Sequence, residues 1–262
     1  MNLDLSNRKA IVCGSSQGIG FAAASELAQL GATVTLFARN AESLAAACQK
    51  LPRPGQQKHR ILVADFSDIQ AVQLAIKNWL AEEGSAQILV NNTGGPHAGP
   101  AITAHVDDFL QAFRNHLAVN QTLVQALVDG MKSAQYGRII NVISTSVKQP
   151  IENLGVSNTV RGAVANWSKT LAMELAAFGI TVNNVLPGAT KTARLESIIA
   201  NTATKHQKST DEVETSLLRA IPAGRFGEAS EIGAAIAFLA SPAASYINGI
   251  NLPVDGGRTQ CL

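Results

Sequence analysis

Three closely spaced glycines near the start of the sequence are suited to placing a phosphate group. They stand in Gly14-Ser15-Ser16-Gln17-Gly18-Ile19-Gly20, which directly follows an apolar run and opens a helical pattern. Glycine at such a junction lets the chain turn sharply, lets the backbone approach a pyrophosphate and lets the helix pack closely on a sheet. The first turn of the helix then offers free N–H groups and the positive end of its dipole. In this context the glycines predict a dinucleotide-binding loop, although glycine spacing alone is a weak signal.

The end of the second apolar run indicates which dinucleotide binds. The run continues as Phe37-Ala38-Arg39-Asn40, and no carboxylate follows until Glu42. An acidic residue at this point would bind the ribose 2′-OH of NAD. Arg39 instead carries the fork of donors that pairs with a 2′-phosphate, and the Ser15 hydroxyl is placed to donate another hydrogen bond. These residues favour NADP(H); the alternative for Arg39 is a solvated loop charge.

Alternating segments must position these loops. Short apolar, β-branched runs predict seven strands, at 9–13, 33–37, 60–63, 87–90, 138–143, 180–186 and 248–252. Helical patterns lie between them, at 18–30, 40–51, 67–82, 106–133, 156–178 and 228–240. This alternation predicts an α/β fold with a doubly wound, seven-stranded parallel sheet flanked by helices and covered on both faces. No repeat or linker interrupts the chain, so we expect residues 1–262 to form one domain.

A polar segment breaks the alternation at 190–225. It carries basic side chains among acidic ones, namely Lys191, Arg194, Lys205, His206, Lys208 and Arg219. A long insertion near the carboxyl ends of the strands is suited to covering a site as a lid. The alternative is a solvated helical excursion.

Composition excludes several classes of protein. The chain is 46% hydrophobic and 15% charged, with a net charge of +2, which argues against a disordered or nucleic-acid-binding protein. Residues 1–9 lack the apolar segment of a secretory signal, and no run of about 18 apolar residues predicts a membrane span. The three cysteines are far apart, so we expect neither disulfides nor a metal site. These features predict a reduced, cytoplasmic protein.

Three motifs in order resemble the short-chain dehydrogenase/reductase family, most closely its 3-oxoacyl-acyl-carrier-protein reductases. They are the G-x3-G-x-G spacing of the first loop, Asn91-Asn92-Thr93-Gly94, and Pro187-Gly188. The resemblance runs from Lys9 to Gly257 and implies a single Rossmann domain that assembles as a homotetramer or dimer. It also implies that cofactor contacts include Asp65 and Phe66 at the adenine, with Asn92, Thr93, Gly94, Pro187, Gly188, Thr190 and Thr192 along the later loops. Asn91 resembles an asparagine that supports the sheet edge.

The resemblance places four catalytic positions, and three of them differ from the family pattern. The family uses a serine to polarise the carbonyl, a tyrosine as proton donor, a lysine four residues further on, and an asparagine on the preceding long helix. Ser144 matches the serine, whereas Ser157 and Arg161 stand at the tyrosine and lysine positions. A gap-free count places His116 at the asparagine, although Asn115 lies next to it.

These replacements remove the usual acid. A serine hydroxyl is a far weaker acid than a phenol, whose pKa is about 10, and arginine stays protonated. Arg161 can still bind ribose hydroxyls or stabilise an oxyanion. Lys148 and His116, which titrates near neutrality in its ordinary state, are candidate proton donors, with His97 a weaker third. The alternatives are an exposed loop lysine and a structurally satisfied helix histidine.

Two functions remain open from the sequence. The first is an NADP(H)-dependent oxidoreductase that acts on a small carbonyl or alcohol substrate with a non-standard proton donor. The second is a non-catalytic NADP(H)-binding sensor or assembly partner; a nucleotide-sugar epimerase ranks last because it needs the missing tyrosine and lysine. Helices 106–133 and 156–178 are apolar round much of their circumference, which favours self-association through them.

Overall fold

Seven parallel strands form one sheet in a computed structural model that describes residues 1–261. The strands follow the order β3-β2-β1-β4-β5-β6-β7. Their bounds are β1 Lys9–Cys13, β2 Thr33–Ala38, β3 Arg60–Val63, β4 Ile88–Asn91, β5 Gly137–Val142, β6 Ile180–Pro187 and β7 Asn251–Val254. The predicted doubly wound α/β sheet is confirmed. The chain reverses its direction of growth between β1 and β4, and ligands bind at such a switch point, beyond the carboxyl ends of the strands.

Nine α-helices connect and flank these strands within the described residues. They are α1 Gly18–Gln29, α2 Ala41–Lys50, α3 Ile69–Glu83, α4 Val106–Phe113, α5 Val119–Ser133, α6 Gly155–Leu175, α7 Ala193–His206, α8 Thr210–Arg219 and α9 Ala229–Ala240. The helix predicted over 106–133 is interrupted by a π-helical turn, Arg114–Ala118. None of the helices within residues 1–261 has the length and apolar character needed to cross a membrane.

The last strand begins three residues later than predicted. Asn248, the first residue of the predicted strand, uses its side chain to bridge two neighbouring elements. Its Oδ1 accepts from the Val182 N–H at 2.8 Å, and its Nδ2 donates to the Ala172 carbonyl at 2.9 Å. The segment is therefore held as a turn, and Gly249, with φ +72°, continues it.

Two apolar cores cover the two faces of the sheet. One contains side chains of α1 and α9, and the other contains side chains of α3, α5 and α6. The prediction that every strand is covered on both faces is wrong for β3, where Arg60, Ile61 and Val63 are exposed. The reason is its position, since β3 lies at one edge of the sheet and has only one neighbour.

Four asparagines, three of them buried and Asn251 half-buried, lie side by side across β4, β5, β6 and β7. Asn91 donates to Asn141 at 2.8 Å, Asn141 to Asn184 at 3.0 Å, and Asn184 to Asn251 at 2.8 Å. These residues are direct partners in the register of the sheet. Ser168 of α6 joins them, because its hydroxyl accepts from Asn141 at 2.9 Å and donates to Asn184 at 2.8 Å. We call this set the asparagine ladder; it links the sheet to α6 through polar contacts.

Candidate functional site

The glycine-rich loop is shaped by steric limits that only glycine meets. Gly14 and Gly18 have φ of +57° and +59°. A Cβ on Gly14 would lie 2.5 Å from the Asn92 carbonyl oxygen, and one on Gly20 would lie 2.2 Å from the Gly14 carbonyl oxygen. Asn92 holds the loop in place, because its Nδ2 donates to the carbonyls of Cys13 and Gly14 at 3.3 and 3.1 Å.

The N-terminus of α1 has no side-chain cap. Its N-cap residue, Gln17, makes no hydrogen bond from its side chain to the first turn. The N–H groups of that turn lack intrahelical partners and carry the positive end of the helix dipole. The loop and helix therefore present a site for an anion such as a phosphate.

The Ser15 hydroxyl does not take the role predicted for it. It is fully buried, donates to the Val12 carbonyl at 2.7 Å and accepts from the Phe37 N–H at 3.0 Å. The hydroxyl thereby joins β1 to the end of β2 and is not free to donate to a 2′-phosphate. The prediction that Ser15 donates to the 2′-phosphate is therefore wrong, because the hydroxyl is buried and already has both partners.

A cleft of about 920 Å³ opens beside the loop. Its lining comes from the glycine loop and α1, the end of β2, α2, the turn after β3, the segment after β4 and the π-helical turn. The residues are Gly14, Ser16, Gln17, Gly18, Phe21, Ala38, Arg39, Asn40, Ser43, Ala46, Ala47, Lys50, Ala64, Asp65, Phe66, Ser67, Thr93, Gly94 and Asn115. The structure thus brings together Arg39, Asp65 and Gly94, which are far apart in the sequence.

The cleft has a second positively charged side chain besides Arg39, and the sequence did not predict it. Lys50 lines it together with Arg39, because Ser43, Ala46, Ala47 and Lys50 share one face of α2. That helical spacing was a signal that could have identified Lys50. Asn40 begins the same helix, and its Oδ1 accepts from the Ser43 N–H at 2.8 Å, so its carbonyl oxygen serves as a helix cap.

Asp65 and Phe66 form the opposite wall. Hydrogen bonds from Ser67 lower the pKa of the Asp65 carboxyl, and the charge of Arg39 adds to this effect, so Asp65 is ionised at neutral pH. The Phe66 ring packs edge-on against Phe37, with ring centroids 4.9 Å apart. The wall therefore combines one fixed charge with one apolar ring.

Ser144, Ser157 and Arg161 come from the end of β5 and the first turns of α6. Ser144 Oγ accepts from the Ser146 N–H at 3.1 Å, which leaves its O–H free to donate. Ser157 and Arg161 lie one turn apart on α6, and the Ser157 hydroxyl has no hydrogen-bond partner among the described residues. Arg161 is buried and donates from Nη1 to the Val142 carbonyl at 2.9 Å. None of the three lines the large cleft.

His116 is buried inside the π-helical turn. Its Nδ1 and Thr93 Oγ1 form a hydrogen bond of 2.5 Å. Burial, together with the charges of Arg161 and Arg194, lowers the pKa of His116 to about 3. The expectation that His116 titrates near neutrality is therefore wrong, because a cation at this position would lose hydration and face two guanidinium groups.

The neighbouring Asn115, rather than His116, lines the cleft. Its Oδ1 accepts from Gln111 Nε2 at 2.8 Å. Lys148 and His97 lie on loops at the same sheet edge, and neither side chain makes a hydrogen bond to the described residues. Within residues 1–261, no group of three or more His, Cys, Asp or Glu side chains is arranged to hold a metal ion.

The segment after β6 crosses toward the glycine loop. A Cβ on Gly18 would lie 3.4 Å from Thr192, whose hydroxyl caps α7. The hydroxyl of Thr190 is buried and donates to the Gly188 carbonyl at 3.1 Å, while the Gly188 N–H donates to Val254 at 3.0 Å. These bonds anchor the predicted sites 187–192 to the sheet edge.

Helices α7 and α8 pack on a small apolar core of their own. It contains Ile199, Ala203, Val213, Ile221 and Phe226. From the start of α7, Arg194 reaches the segment after β4 and donates to the Gly95 carbonyl at 3.3 Å. The 190–225 segment is thus a packed helical pair that contacts the loop beside the cleft.

Comparison with known proteins places this architecture among reductases. A family model described as enoyl-(acyl carrier protein) reductase matches residues 14–259. The chain is 30% identical over 259 residues to the NADPH-dependent reductase BacG of Bacillus subtilis (strain 168), covering 98% of this chain and 100% of that protein. It is 34% identical over 257 residues to the 3-oxoacyl-(acyl-carrier-protein) reductase FabG of Vibrio cholerae, covering 97% and 98%.

A solved structure shows the same fold. The crystal structure of L-sorbose reductase from Gluconobacter frateurii, complexed with NADPH and L-sorbose, is similar with a TM-score of 0.93. The two chains are 27% identical, and the match covers 100% of each.

Proposed function

The chain belongs to the short-chain dehydrogenase/reductase family, and from this premise we propose that it is an NADP(H)-dependent oxidoreductase acting on a carbonyl or alcohol. The glycine loop carries the proposal, because its positive φ angles, close backbone contacts and uncapped helix end have one clear chemical use, which is to hold a phosphate. BacG and the L-sorbose reductase structure, whose names or titles include NADPH, support the choice of dinucleotide.

The residues present fit the cofactor along its length. The loop of Gly14, Gly18 and Gly20 would hold the pyrophosphate, and Gly94 leaves open space, since a Cβ there would meet no atom within 4 Å. Arg39 would pair with the 2′-phosphate, with Lys50 as a second cation. Asp65 and Phe66 would bound the adenine end. Asn92 would act as a positioning residue, because it holds the loop rather than facing the cleft with its amide.

Ser144 and Arg161 would act on the carbonyl group of the substrate. NADPH, when bound, supplies a hydride, which adds two electrons and one hydrogen to the carbonyl carbon. The free O–H of Ser144 would donate to the carbonyl oxygen, and the guanidinium of Arg161 would stabilise the negative charge that develops there. Burial and the neighbouring Arg194 lower the pKa of Arg161 to about 10, so it remains protonated at neutral pH.

One proton must reach the oxygen to complete the alcohol. His116 cannot supply it as an imidazolium, because its pKa of about 3 keeps it neutral at physiological pH. We infer that Lys148 or water supplies the proton, with the unpartnered Ser157 hydroxyl in the path. In this mechanism Ser144 and Arg161 are the catalytic residues, and His116 positions Thr93 through their hydrogen bond.

The other functional expectations belong to the same proposal. The 190–225 segment would act as a lid, because Arg194 already joins it to the loop beside the cleft. Self-association as a dimer or tetramer and a cytoplasmic location are expected from the sequence and from the kind of enzyme proposed.

The decisive experiment measures binding and hydride transfer separately. Purified protein should bind NADPH more tightly than NADH in a fluorescence titration, and it should oxidise NADPH in single-turnover mixtures with ketones, aldehydes or 3-oxoacyl thioesters. Ser144→Ala should reduce the transfer rate by about 10²-fold, because a donor to the developing oxyanion is lost. Ser133→Ala is the matched control, since Ser133 is exposed at the end of α5 and bonds only to Asp129.

The alternative predicts a different pattern. A non-catalytic sensor would bind NADPH and oxidise none of it across the whole panel. That outcome would reject the oxidoreductase, whereas transfer that Ser144→Ala slows and Ser133→Ala preserves would reject the sensor.

A further inference from the structure

Two arginines converge just beyond the Gly94 end of the cleft. Arg161 comes from α6, and Arg194 comes from the start of α7 and bonds to the Gly95 carbonyl at 3.3 Å. Both charges act on His116, which is bonded to Thr93 of the cleft wall. Thr93 and Gly95 lie two residues apart, so the hydrogen bonds of His116 and Arg194 place both guanidinium groups beside the 93–95 segment.

Another buried arginine shows what a purely structural guanidinium looks like in this fold. Arg138 is 2% exposed and donates to the carbonyls of Gly137, Gly179 and Ser241 and to the Ser245 hydroxyl. All three of its nitrogens thus have acceptors within the protein. Its charge is spread over oxygen atoms and over the ring of Tyr136, 4.0 Å away.

Arg161 is buried nearly as deeply and has far fewer partners. It is 8% exposed, and its single hydrogen bond to the described residues runs from Nη1 to Val142. Within residues 1–261, only two side-chain polar atoms are both shielded from solvent and without a hydrogen bond, namely Asn91 Oδ1 and Ser146 Oγ. Nε and Nη2 of Arg161 are not among them, so these donors reach accessible space rather than a sealed void.

No carboxylate neutralises this pair within the described part of the chain. The positively charged residues that form ion pairs in residues 1–261 are Lys9, Arg60, Lys191 and Arg225, and neither Arg161 nor Arg194 is among them. A buried charge without an opposite charge is costly, and a second cation nearby raises the cost. The neutral His116 offers no compensation.

We infer that the substrate carries an anionic oxygen group, a carboxylate or a phosphate, that binds between Arg161 and Arg194. The planar forks of two guanidinium groups match such oxygens and leave Arg161 a donor for the carbonyl oxygen. Ribose hydroxyls and a carbonyl that is still neutral would leave both charges uncompensated before hydride transfer. This assignment rests on the proposed function and names the class of substrate. In it, Arg194 of the 190–225 segment binds the anionic group of the substrate when that segment closes over the cleft.

The test compares acids with their uncharged analogues on the NADP⁺-loaded protein. Calorimetric titrations would use acetoacetate against methyl acetoacetate for the carboxylate, and dihydroxyacetone phosphate against dihydroxyacetone for the phosphate. We expect at least one charged probe to bind about tenfold or more tightly than its neutral partner, the factor typical of one charge-assisted hydrogen bond. The pair that shows the preference identifies the group.

Three variants separate the site from the general charge of the protein. Arg194→Gln, on an exposed side chain, should remove the preference, and Arg161→Lys, which keeps the charge but loses the fork, should reduce it. Arg219→Gln is the matched control, because it removes the same charge from an exposed position on α8. Thermal melts would confirm that each variant is folded.

The inference is overturned if neither charged probe binds better than its neutral partner, or if Arg194→Gln keeps the preference. Failure of the proposed function would look different. In that case the charged probes would bind with the expected preference, but no NADPH would be oxidised in their presence.

Discussion

At the scale of single residues, the chemistry of this site depends on side chains with unusual surroundings. Neither tyrosine of the chain takes the place of the family acid. The Tyr136 hydroxyl donates to the Ala240 carbonyl at 2.7 Å, and Tyr246 is fully exposed. No phenol is therefore present at the proposed reaction centre. Its hydroxyls, guanidinium groups and neutral imidazole can polarise the carbonyl, and the proton is left to Lys148 or water.

The buried His116 makes stability depend on pH. Its pKa is about 3 in the folded protein against an ordinary value of 6.5, so below pH 6.5 the unfolded chain binds a proton that the folded protein excludes. Stability is thus fully present above pH 6.5 and is lost as the pH falls toward 3. At pH 5 the loss would be about 2 kcal/mol.

Urea unfolding of the wild type and of His116→Asn at pH 7, 6 and 5 would measure this effect. The variant should lose less stability on acidification. It should keep part of the slope, because burial also lowers the pKa of His59. Equal slopes for the two proteins would show that His116 is protonated in the folded state.

At the scale of elements, the π-helical turn decides which side chain faces the cleft. The apolar pattern over 106–133 is continuous, so the sequence predicts one helix there. The extra residue in the turn Arg114–Ala118 rotates the following helix, and within it His116 is buried and Asn115 lines the cleft. Such single-turn insertions are often found at functional sites.

The asparagine ladder should contribute strongly to stability. Asn141 accepts from Asn91 and donates to Ser168 and Asn184, so Asn141→Ala would leave three buried partners with unmet hydrogen bonds. We expect a loss of about 2–4 kcal/mol in the free energy of unfolding. Urea titration followed by tryptophan fluorescence would measure it.

Asn166→Ala on the exposed face of α6 is the control and should change stability by less than about 0.5 kcal/mol. A similarly small effect of Asn141→Ala would mean that water replaces the lost amide at no cost.

At the scale of the whole molecule, an apolar stripe on α4 points to self-association. Val106, Leu110 and Phe113 are 74%, 50% and 45% exposed at helical spacing. Side chains of α6 that the sequence assigned to the same task, such as Val160 and Val164, are instead buried within their own chain. A row of exposed apolar side chains usually marks an interaction surface.

We expect the protein to elute as a dimer or tetramer, and Leu110→Glu to shift it toward the monomer by placing a charge in the apolar stripe. Light scattering coupled to size-exclusion chromatography at micromolar concentration would show this. Leu74→Glu, at a 61% exposed position on α3, is the matched control and should leave the assembly unchanged. A wild-type monomer would contradict the prediction.

The sequence by itself determined the alternation of strands and helices along the chain, the glycine loop and the class of fold. These features depend on local patterns, since β-branched runs, glycine spacing and helical periodicity act over a few neighbouring residues. For the same reason β1 and β3 have the bounds that their residues predicted, 9–13 and 60–63.

Only the tertiary structure decided how the side chains of the site are used. The Ser15 hydroxyl accepts from the N–H of Phe37, 22 residues away, and Arg194 donates to the Gly95 carbonyl across 99 residues. The charge state of His116 and the missing partners of Arg161 likewise depend on burial by elements distant in sequence. Hydrogen bonding and desolvation are set by what surrounds a group in space, and the order of residues along the chain does not specify those surroundings locally.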